Sequence, residues 1–264
     1  MTGVRPAAVA GSFYPAGPEA LRGALDAAFA AARAPAPGAT APKAVVVPHA
    51  GYVYSGAVAA SAYLRLVPAR DEVTRVVLLG PNHRVPLEGM AVSSADAFAT
   101  PLGLVTVDAD ARERALTVPS VQVNDAAHAL EHSLEVQLPF VQAVLGDVAV
   151  LPVVVGECAT RAVVALLDVV WGGPETVIVV STDLSHYHRY DDAVALDRRT
   201  IAAIAALNPA AIATVDACGA YPLRGLLAAA GARRMCAEVL DVRNSGDTAG
   251  DRRSVVGYGA AAVA

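Results

Sequence analysis

The segment Lys43–Gly56, KAVVVPHAGYVYSG, decides the fold class that we predict for this chain. Its β-branched run Val45–Val47 is typical of a strand that is buried on both faces of a sheet. The run ends at Pro48, and a helix of small apolar residues is predicted to begin near Ser55. His49 therefore lies where a buried strand gives way to a helix, at the sheet edge where open α/β proteins bind their ligands.

Two more segments repeat this pattern of a buried strand followed by histidine. Arg75–Gly80, RVVLLG, precedes His83, and Thr176–Ser181, TVIVVS, precedes TDLSHYH, which contains His186. Because the carboxyl ends of parallel strands meet at one edge of a sheet, we expect these imidazoles to lie close together. The sequence thus predicts a metal or acid/base centre above that edge.

The alternation of predicted strands and helices extends along the whole chain, which we interpret as one domain, residues 1–264. It predicts a three-layer α/β/α sandwich with a mostly parallel or mixed central sheet. Two local details are also predicted. Met90–Ser93 and Leu104–Val107 are expected to form an antiparallel pair of strands, and a helix with one apolar stripe is expected over Glu131–Leu145.

The composition excludes several classes of partner. The formal net charge is −5 and no lysine or arginine cluster is present, so we expect no nucleic-acid partner. The most apolar window, Thr200–Val215, is interrupted by Asn208 and Pro209 and is shorter than the ~20 residues of a membrane span, so no membrane partner is expected. The three cysteines have no CxxC spacing and no signal peptide is predicted, which favours a cytoplasmic protein.

Two pairs of residues are the main candidates for chemistry. His49 and His83 follow consecutive buried strands, so both imidazoles can converge on one zinc, copper or iron ion; the alternative is two unrelated surface histidines. Asp183 and His186 are three positions apart and can face the same centre as ligand, base or orienting group. The alternative for Asp183 is that it caps a following helix. His188 is expected to be solvated.

Two further positions have both a structural and a functional interpretation. Cys218 lies in a turn before an apolar helix, where a thiol can have a lowered pKa and bind a metal as thiolate. By composition alone, such a cysteine is more often a small buried hydrophobic residue. His132 lies in EHSLE at the predicted start of a helix and can reach the site from a neighbouring layer, so we include it among the ligand-binding candidates. Helix capping explains Glu131 and Ser133 equally well.

Seven motifs occur along the chain in the order GSFYPA, VPHAGYVYSG, LLGPNH, EHSLEVQLPF, STDLSHYH, CGAYP and NSGDTAGD. In this order they resemble the Memo family, whose prokaryotic members are called AmmeMemoRadiSam system protein B. The resemblance runs from about Val4 to the C-terminus. It implies a fold similar to that of the class III extradiol dioxygenases, which hold non-haem Fe(II) with two histidines and a carboxylate.

The resemblance also implies a set of metal ligands. Position by position, these are His49 in PHAGY, His83 in GPNH and Cys218 in CGAYP. A thiolate in place of the carboxylate of the dioxygenases is a softer ligand, which favours copper(I), zinc or iron of a different potential. It is also oxidisable.

Other residues of the cleft follow from the same resemblance. Asp183 and His186 resemble the polar pair beside the metal site and are the catalytic candidates, with His186 where the dioxygenases keep an acid/base histidine. Tyr14 and Tyr54 match aromatic positions that line the cleft in family members, so they are expected to bind ligand.

The expected function is that of a metal-binding, dioxygenase-like oxidoreductase with iron or copper as cofactor and zinc as the alternative metal. Its site is expected in a cleft at the C-terminal edge of the sheet, where a small molecule or a peptide would bind. Two alternatives use the same cleft: a non-catalytic binding module for a peptide or small ligand, and a zinc-dependent hydrolase. The prokaryotic family name implies AMMECR1-type and radical-SAM proteins as pathway partners.

Overall fold

The computed structural model describes residues 3–264. Their strands, in chain order, are β1 (Val4–Arg5), β2 (Ala44–Val47), β3 (Arg75–Pro81), β4 (Met90–Val92), β5 (Ala97–Thr100), β6 (Gly103–Thr106), β7 (Val121–Val123), β8 (Ala149–Val155), β9 (Thr176–Ser181), β10 (His186–His188), β11 (Ala237–Asn244) and β12 (Val255–Val263). Their α-helices are α1 (Pro18–Ala30), α2 (Tyr52–Tyr63), α3 (Ala109–Leu116), α4 (Asp125–Ala129), α5 (Leu138–Leu145), α6 (Thr160–Val170), α7 (Tyr190–Ala205) and α8 (Ala220–Ala232).

The main sheet contains strands in the order β10-β12-β2-β9-β3-β8-β4-β7, with β11 also paired to β12. Its central strands β2, β9, β3 and β8 are parallel to one another. Strands β12 and β4 join this parallel block in the antiparallel direction, so the sheet is mixed. A second, smaller sheet has the order β1-β5-β6.

Helices cover both faces of the main sheet, which confirms the predicted α/β sandwich. Side chains of a strand alternate between faces, so Val45 and Val47 join one apolar core while Val46 joins the other. The first core includes Tyr63 of α2 and residues of α1 and α5, and the second includes Leu166 of α6 and residues of α3, α7 and α8. Burial on both faces is the reason why the central strands consist of nearly continuous apolar runs.

The carboxyl ends of β2, β3 and β9 lie at one edge of this sheet because the three strands are parallel. The last residues of β2 and β9, Val47 and Ser181, are register partners. Pro48 has no N–H to continue the ladder, and β2 ends before it. His49 and Asp183 each follow two residues after their strands, and His83 follows two residues after β3.

Two local predictions were wrong. Met90–Val92 is buried on both faces and belongs to the main sheet between β8 and β7, whereas the partner of Gly103–Thr106 is Ala97–Thr100. The predicted helix over 131–145 begins only at Leu138, with Pro139 in its first turn, where a missing N–H is tolerated. Within residues 3–264, the structure contains no helix that combines the length and apolar character needed to cross a membrane.

Candidate metal centre

Three histidines converge at the carboxyl edge of the sheet. His49 and His83 come from the ends of β2 and β3, and His132 comes from the loop between α4 and α5. One ring nitrogen of each lies within 4.8 Å of one from each of the others. The ring centroids are 5.4 Å apart for His49 and His83, and 4.7 Å apart for the stacked rings of His83 and His132. The predicted proximity of His49 and His83 is therefore observed, and His132 joins them.

Hydrogen bonds orient His49. Its Nδ1 lies 2.9 Å from Oγ of Ser181. That hydroxyl donates its proton to the carbonyl of Ser133 at 2.7 Å and accepts from Nε2 of Gln137 at 2.9 Å. The Ser181 hydroxyl proton is already donated to Ser133, so the network places the Nδ1 proton on His49 and leaves the ring lone pair on Nε2.

The carboxylate of Glu131 orients His83. Oε2 accepts the backbone N–H of His83 at 2.7 Å, and Oε1 accepts Nδ1–H of the same residue at 2.9 Å. Oε1 also accepts the N–H of Ser133 at 2.8 Å. Burial would raise the pKa of Glu131, but the hydrogen bond and charge of His83 outweigh burial and lower this pKa to about 2. Glu131 is therefore an anion across the physiological range.

His132 is held by contacts with neighbouring rings, of which that of His83 is stacked on it. Its imidazole contacts His83 on one side and Phe13, with a ring-centroid distance of 4.6 Å, on another. Its buried Nδ1 lies 3.3 Å from Oε1 of Glu131 but is without a hydrogen-bond partner among the described residues. Burial lowers the pKa of both His49 and His132 to about 3, so both imidazoles are neutral and able to bind a metal. Neutral imidazoles and an orphaned buried nitrogen fit a transition-metal ion.

Cys218 adjoins this cluster without belonging to the three-nitrogen group. Its Sγ lies 3.2 Å from Nε2 of His49 and accepts the N–H of Asp183, also at 3.2 Å. The turn can pack here because residue 219 is glycine: a Cβ there would lie 2.6 Å from Cβ of Thr182. Cys218 as a metal ligand stays a prediction.

A lowered pKa was one of the two interpretations of Cys218 that the sequence allowed, and the burial of the thiol disfavours it in the metal-free protein. Burial, together with the charge of Asp183, raises the pKa of this thiol to about 12. The thiol is therefore protonated in the metal-free protein, and it would lose that proton on binding a metal as thiolate.

Asp183 and His186 line a cavity of about 400 Å³ together with His132, Phe13 and Tyr54. Asp183 accepts the backbone N–H of His49 at 2.7 Å through Oδ1. Burial raises the pKa of Asp183 to about 6, against the opposing effect of that hydrogen bond. His186 donates from Nδ1 to the carbonyl of Leu184 at 2.8 Å, which leaves its Nε2 as a lone pair.

The two predicted ligand-binding tyrosines differ. Tyr54 is partly exposed and lines the cavity that contains His132 and Asp183. Tyr14 is buried, and its hydroxyl donates to Oε1 of Glu135 at 2.6 Å. It lines an adjoining apolar cavity of about 530 Å³ instead, and Phe13 is the neighbouring aromatic that reaches the histidines. His188 is exposed, as expected of a solvated histidine.

Sequence reasoning did not assign a role in the site to three residues that the structure places there: Phe13, Glu131 and Ser181. Glu131 was open to interpretation as a helix cap, but α4 ends at Ala129 and the next helical turn begins only at Glu135. Glu131 lies directly beside His132 in the sequence, and this pairing of carboxylate and imidazole in a predicted helix start was the available indication.

An α/β sandwich with three histidines gathered at the carboxyl edge of its parallel strands defines a class: the protein is a candidate metal-binding protein. The Memo-like protein family matches residues 5–262, and the chain belongs to this family. MEMO1 family proteins of Aquifex aeolicus and Methanopyrus kandleri are each 37% identical to this chain. Each alignment covers 97% of this chain and 97% of the relative. The Ignicoccus hospitalis relative, with the same family name, is 38% identical over 97% of each.

Similarity to a solved structure supports the fold but says nothing about the site. The crystal structure of an uncharacterised protein from Escherichia coli K12 matches with a TM-score of 0.54 and 13% sequence identity. The match covers 82% of this chain and 98% of that one. At this identity, the likeness extends to the α/β sandwich and not to the chemistry of the site.

Proposed function

We propose that this Memo-family protein is a metal-dependent oxidoreductase of the dioxygenase-like type. The nitrogen ligands are His49, His83 and His132, and Cys218 is the adjoining sulfur ligand. The observation that carries the proposal is that three histidines gather beside a cavity lined by a carboxyl and an imidazole, those of Asp183 and His186. Imidazole with thiolate suits iron or copper, and such a metal would supply the electron transfer to O₂ that this reaction type requires.

The proton-transfer roles belong to Asp183 and His186. A carboxyl with a pKa of about 6 changes its protonation near neutral pH, which is the property of an effective general acid or base. His186 has its Nδ1 proton engaged by Leu184, so its free Nε2 is the atom that accepts a proton from a bound substrate. Tyr54 and Phe13 line the same cavity and would contact an aromatic or apolar part of that substrate.

A zinc-dependent hydrolase is the second candidate. Three histidine imidazoles are the ligand set of one well-known class of catalytic zinc site, which keeps a fourth position for water. Asp183 would then act as the base toward that water. The choice between the two candidates depends on which metal the protein holds and on whether it consumes O₂.

The first experiment measures the metal content of protein purified under anaerobic conditions. We expect near-stoichiometric iron or copper in the parent and a strong loss in His49→Ala and His83→Ala, with the fold retained by circular dichroism. His188→Ala is the matched control, because His188 is exposed and outside the cluster. Full metal content in both His49→Ala and His83→Ala would show that the proposed site is wrong.

The second experiment measures O₂ uptake by the metal-loaded protein with catechol-type substrates. Uptake that depends on iron or copper and disappears in His83→Ala supports the oxidoreductase. Zinc as the sole stoichiometric metal, together with ester or amide hydrolysis and no O₂ uptake, supports the hydrolase instead.

A further inference from the structure

We infer that Glu131 is the positioning residue of the metal centre: its one carboxylate fixes the metal-binding face of His83, lies against His132 and provides the negative charge that the imidazoles lack. This inference rests on the proposed metal binding. It assigns to Glu131 a role that the alternative of helix capping does not include, since no helix begins at this residue.

The contacts of Glu131 with His83 fix both the backbone and the ring. The carboxylate accepts the N–H of His83 at 2.7 Å and its Nδ1–H at 2.9 Å, one on each oxygen. These two bonds determine the ring orientation and the tautomer, because the proton on Nδ1 leaves Nε2 as the metal-binding lone pair. The imidazole of His83 remains 28% exposed, so an ion can reach it from solvent.

The charge environment of Glu131 also indicates a missing cation. Its side chain is 1% exposed, and its ion pairs within residues 3–264 are with His83 and His132 alone. Arg5 approaches the same residue but donates to its main-chain carbonyl. A buried carboxylate is expensive without a positive partner, and a metal ion held by the neighbouring imidazoles would provide one.

Glu135, in the same loop, shows the contrast. It is equally buried, but Arg5 donates to its Oε2 at 2.6 Å and Tyr14 donates to its Oε1 at the same distance. Its charge is therefore neutralised by an arginine inside the protein. The two glutamates, four residues apart, differ in whether the protein itself supplies the cation.

The loop that carries Glu131 is anchored to the carboxyl ends of two strands, β3 and β9. Ser133 donates through Oγ to the carbonyl of Pro81 at the end of β3, and its own carbonyl accepts from Ser181 at the end of β9. The close approach depends on Gly80, where a Cβ would lie 2.8 Å from Oγ of Ser133. Glu131 thus lies on a rigid support, which is required of a group that orients metal ligands.

The test measures the Zn²⁺ affinity of the 264-residue chain by competition with a chromophoric chelator. In Glu131→Gln the amide has one acceptor oxygen and a donating NH₂ group, so it cannot accept the three N–H groups that Glu131 accepts. We expect Zn²⁺ affinity to fall roughly 10- to 100-fold, the usual effect of losing such an orienting partner.

Glu131→Asp retains the charge and should restore part of the affinity. Glu88→Gln, on the exposed loop after His83, is the matched control and should bind as the parent does.

A second measurement separates this inference from the proposed function. The ¹⁵N shifts of His83 in the metal-free protein report its tautomer, and we expect Nδ1–H in the parent and a mixture of tautomers in Glu131→Gln. If the parent binds no metal, the proposed function fails, and this tautomer result alone decides the role of Glu131. Unchanged Zn²⁺ affinity and unchanged His83 shifts in Glu131→Gln would overturn the inference. Failure of both Glu131 variants to fold would also overturn it, because the residue would then be purely structural.

Discussion

Glu131 and Asp183 are two buried carboxylates beside the same histidines, and their surroundings drive their pKa values in opposite directions. Burial favours the neutral form of both. At Glu131 the hydrogen bond from the His83 imidazole and its charge prevail, and the pKa falls to about 2. At Asp183 the main opposing contact is a backbone N–H, that of His49, and burial prevails, so the pKa rises to about 6.

This difference separates two roles within one site. A carboxylate that stays ionised can hold imidazoles in one tautomer and balance the charge of a cation. A carboxyl that titrates near neutral pH can move protons but is a poor permanent anchor. The nature of the hydrogen-bond donor, imidazole at Glu131 and backbone amide at Asp183, distinguishes the two cases.

The largest effect is expected on turnover. Asp183→Asn keeps an oxygen acceptor for the N–H of His49 but cannot accept a proton, and His186→Ala removes the second proton-transfer group. Each is expected to lower the rate of O₂ uptake ~10²- to 10⁴-fold while metal content stays near that of the parent. Rates are measured on protein of verified metal content, with His188→Ala as control. Unchanged turnover in Asp183→Asn would contradict the proton-transfer role of Asp183 and with it the contrast between Asp183 and Glu131.

The next effect concerns stability. Glu131→Ala leaves three N–H groups, two from His83 and one from Ser133, without their acceptor, and we expect a loss of about 3 kcal/mol. That corresponds to a fall in Tm of roughly 6–12 °C. Asp183→Ala loses one backbone hydrogen bond but also removes a carboxylate that burial disfavours, so its Tm should change much less.

Thermal unfolding of the two alanine variants in metal-free form measures this difference. Equal Tm changes would contradict the assignment of Glu131 as the anchor and Asp183 as the titrating group. Glu88→Ala, at an exposed position, gives the baseline for a surface substitution.

The pH dependence of stability gives a third, smaller contrast. The folded-state pKa of Asp183, about 6, lies above its usual 3.8, so the folded protein binds more protons between these values. Its contribution to stability is complete below pH 3.8 and is lost as the pH rises through 6. The contribution of Glu131 has the opposite sign: it is complete above pH 4.5 and is lost as the pH falls through 2.

Urea unfolding of the parent and of Asp183→Asn at pH 4 and at pH 7 isolates the Asp183 contribution. Between these pH values the parent should lose up to about 3 kcal/mol relative to Asp183→Asn. A constant difference between the two proteins would show that Asp183 does not titrate in this range.

The parallel core and the position of the histidines at its carboxyl edge were predictable because their causes are local. Buried runs such as Val45–Val47 and TVIVVS identify central strands by composition, and a residue that follows a parallel strand must lie at the carboxyl edge. His49 and His83 were found in this way. The helix over 131–145 failed because residues 131–133 form hydrogen bonds to the ends of distant strands, which the spacing of leucines does not encode.

The chemistry of the site was predictable only in part because pKa values depend on tertiary burial. Cys218 precedes a helix, and this local position favours a lowered pKa, yet the packed turn raises the pKa instead. The role that we infer for Glu131 likewise depends on tertiary contacts. Its main hydrogen-bond partner, His83, is 48 positions away in sequence. A single sequence offers no pattern from which such a pair can be read.

The smallest expected effect links Asp183 to Cys218. The charge of Asp183 adds to burial in raising the pKa of the Cys218 thiol, so Asp183→Asn should lower that pKa and speed alkylation of Cys218 by iodoacetamide in the metal-free protein. We expect an increase of less than about tenfold near neutral pH, because one pKa unit changes the thiolate fraction tenfold. Cys236 is exposed and provides the internal reference when the labelled peptides are quantified by mass spectrometry.

In the parent, Cys236 should react before Cys218, since the latter is buried and protonated. The difference between parent and variant should shrink below pH 6, where Asp183 itself becomes protonated. An acceleration that persists unchanged at pH 5 would mean that the substitution loosens the turn around Cys218 rather than removing a charge beside it.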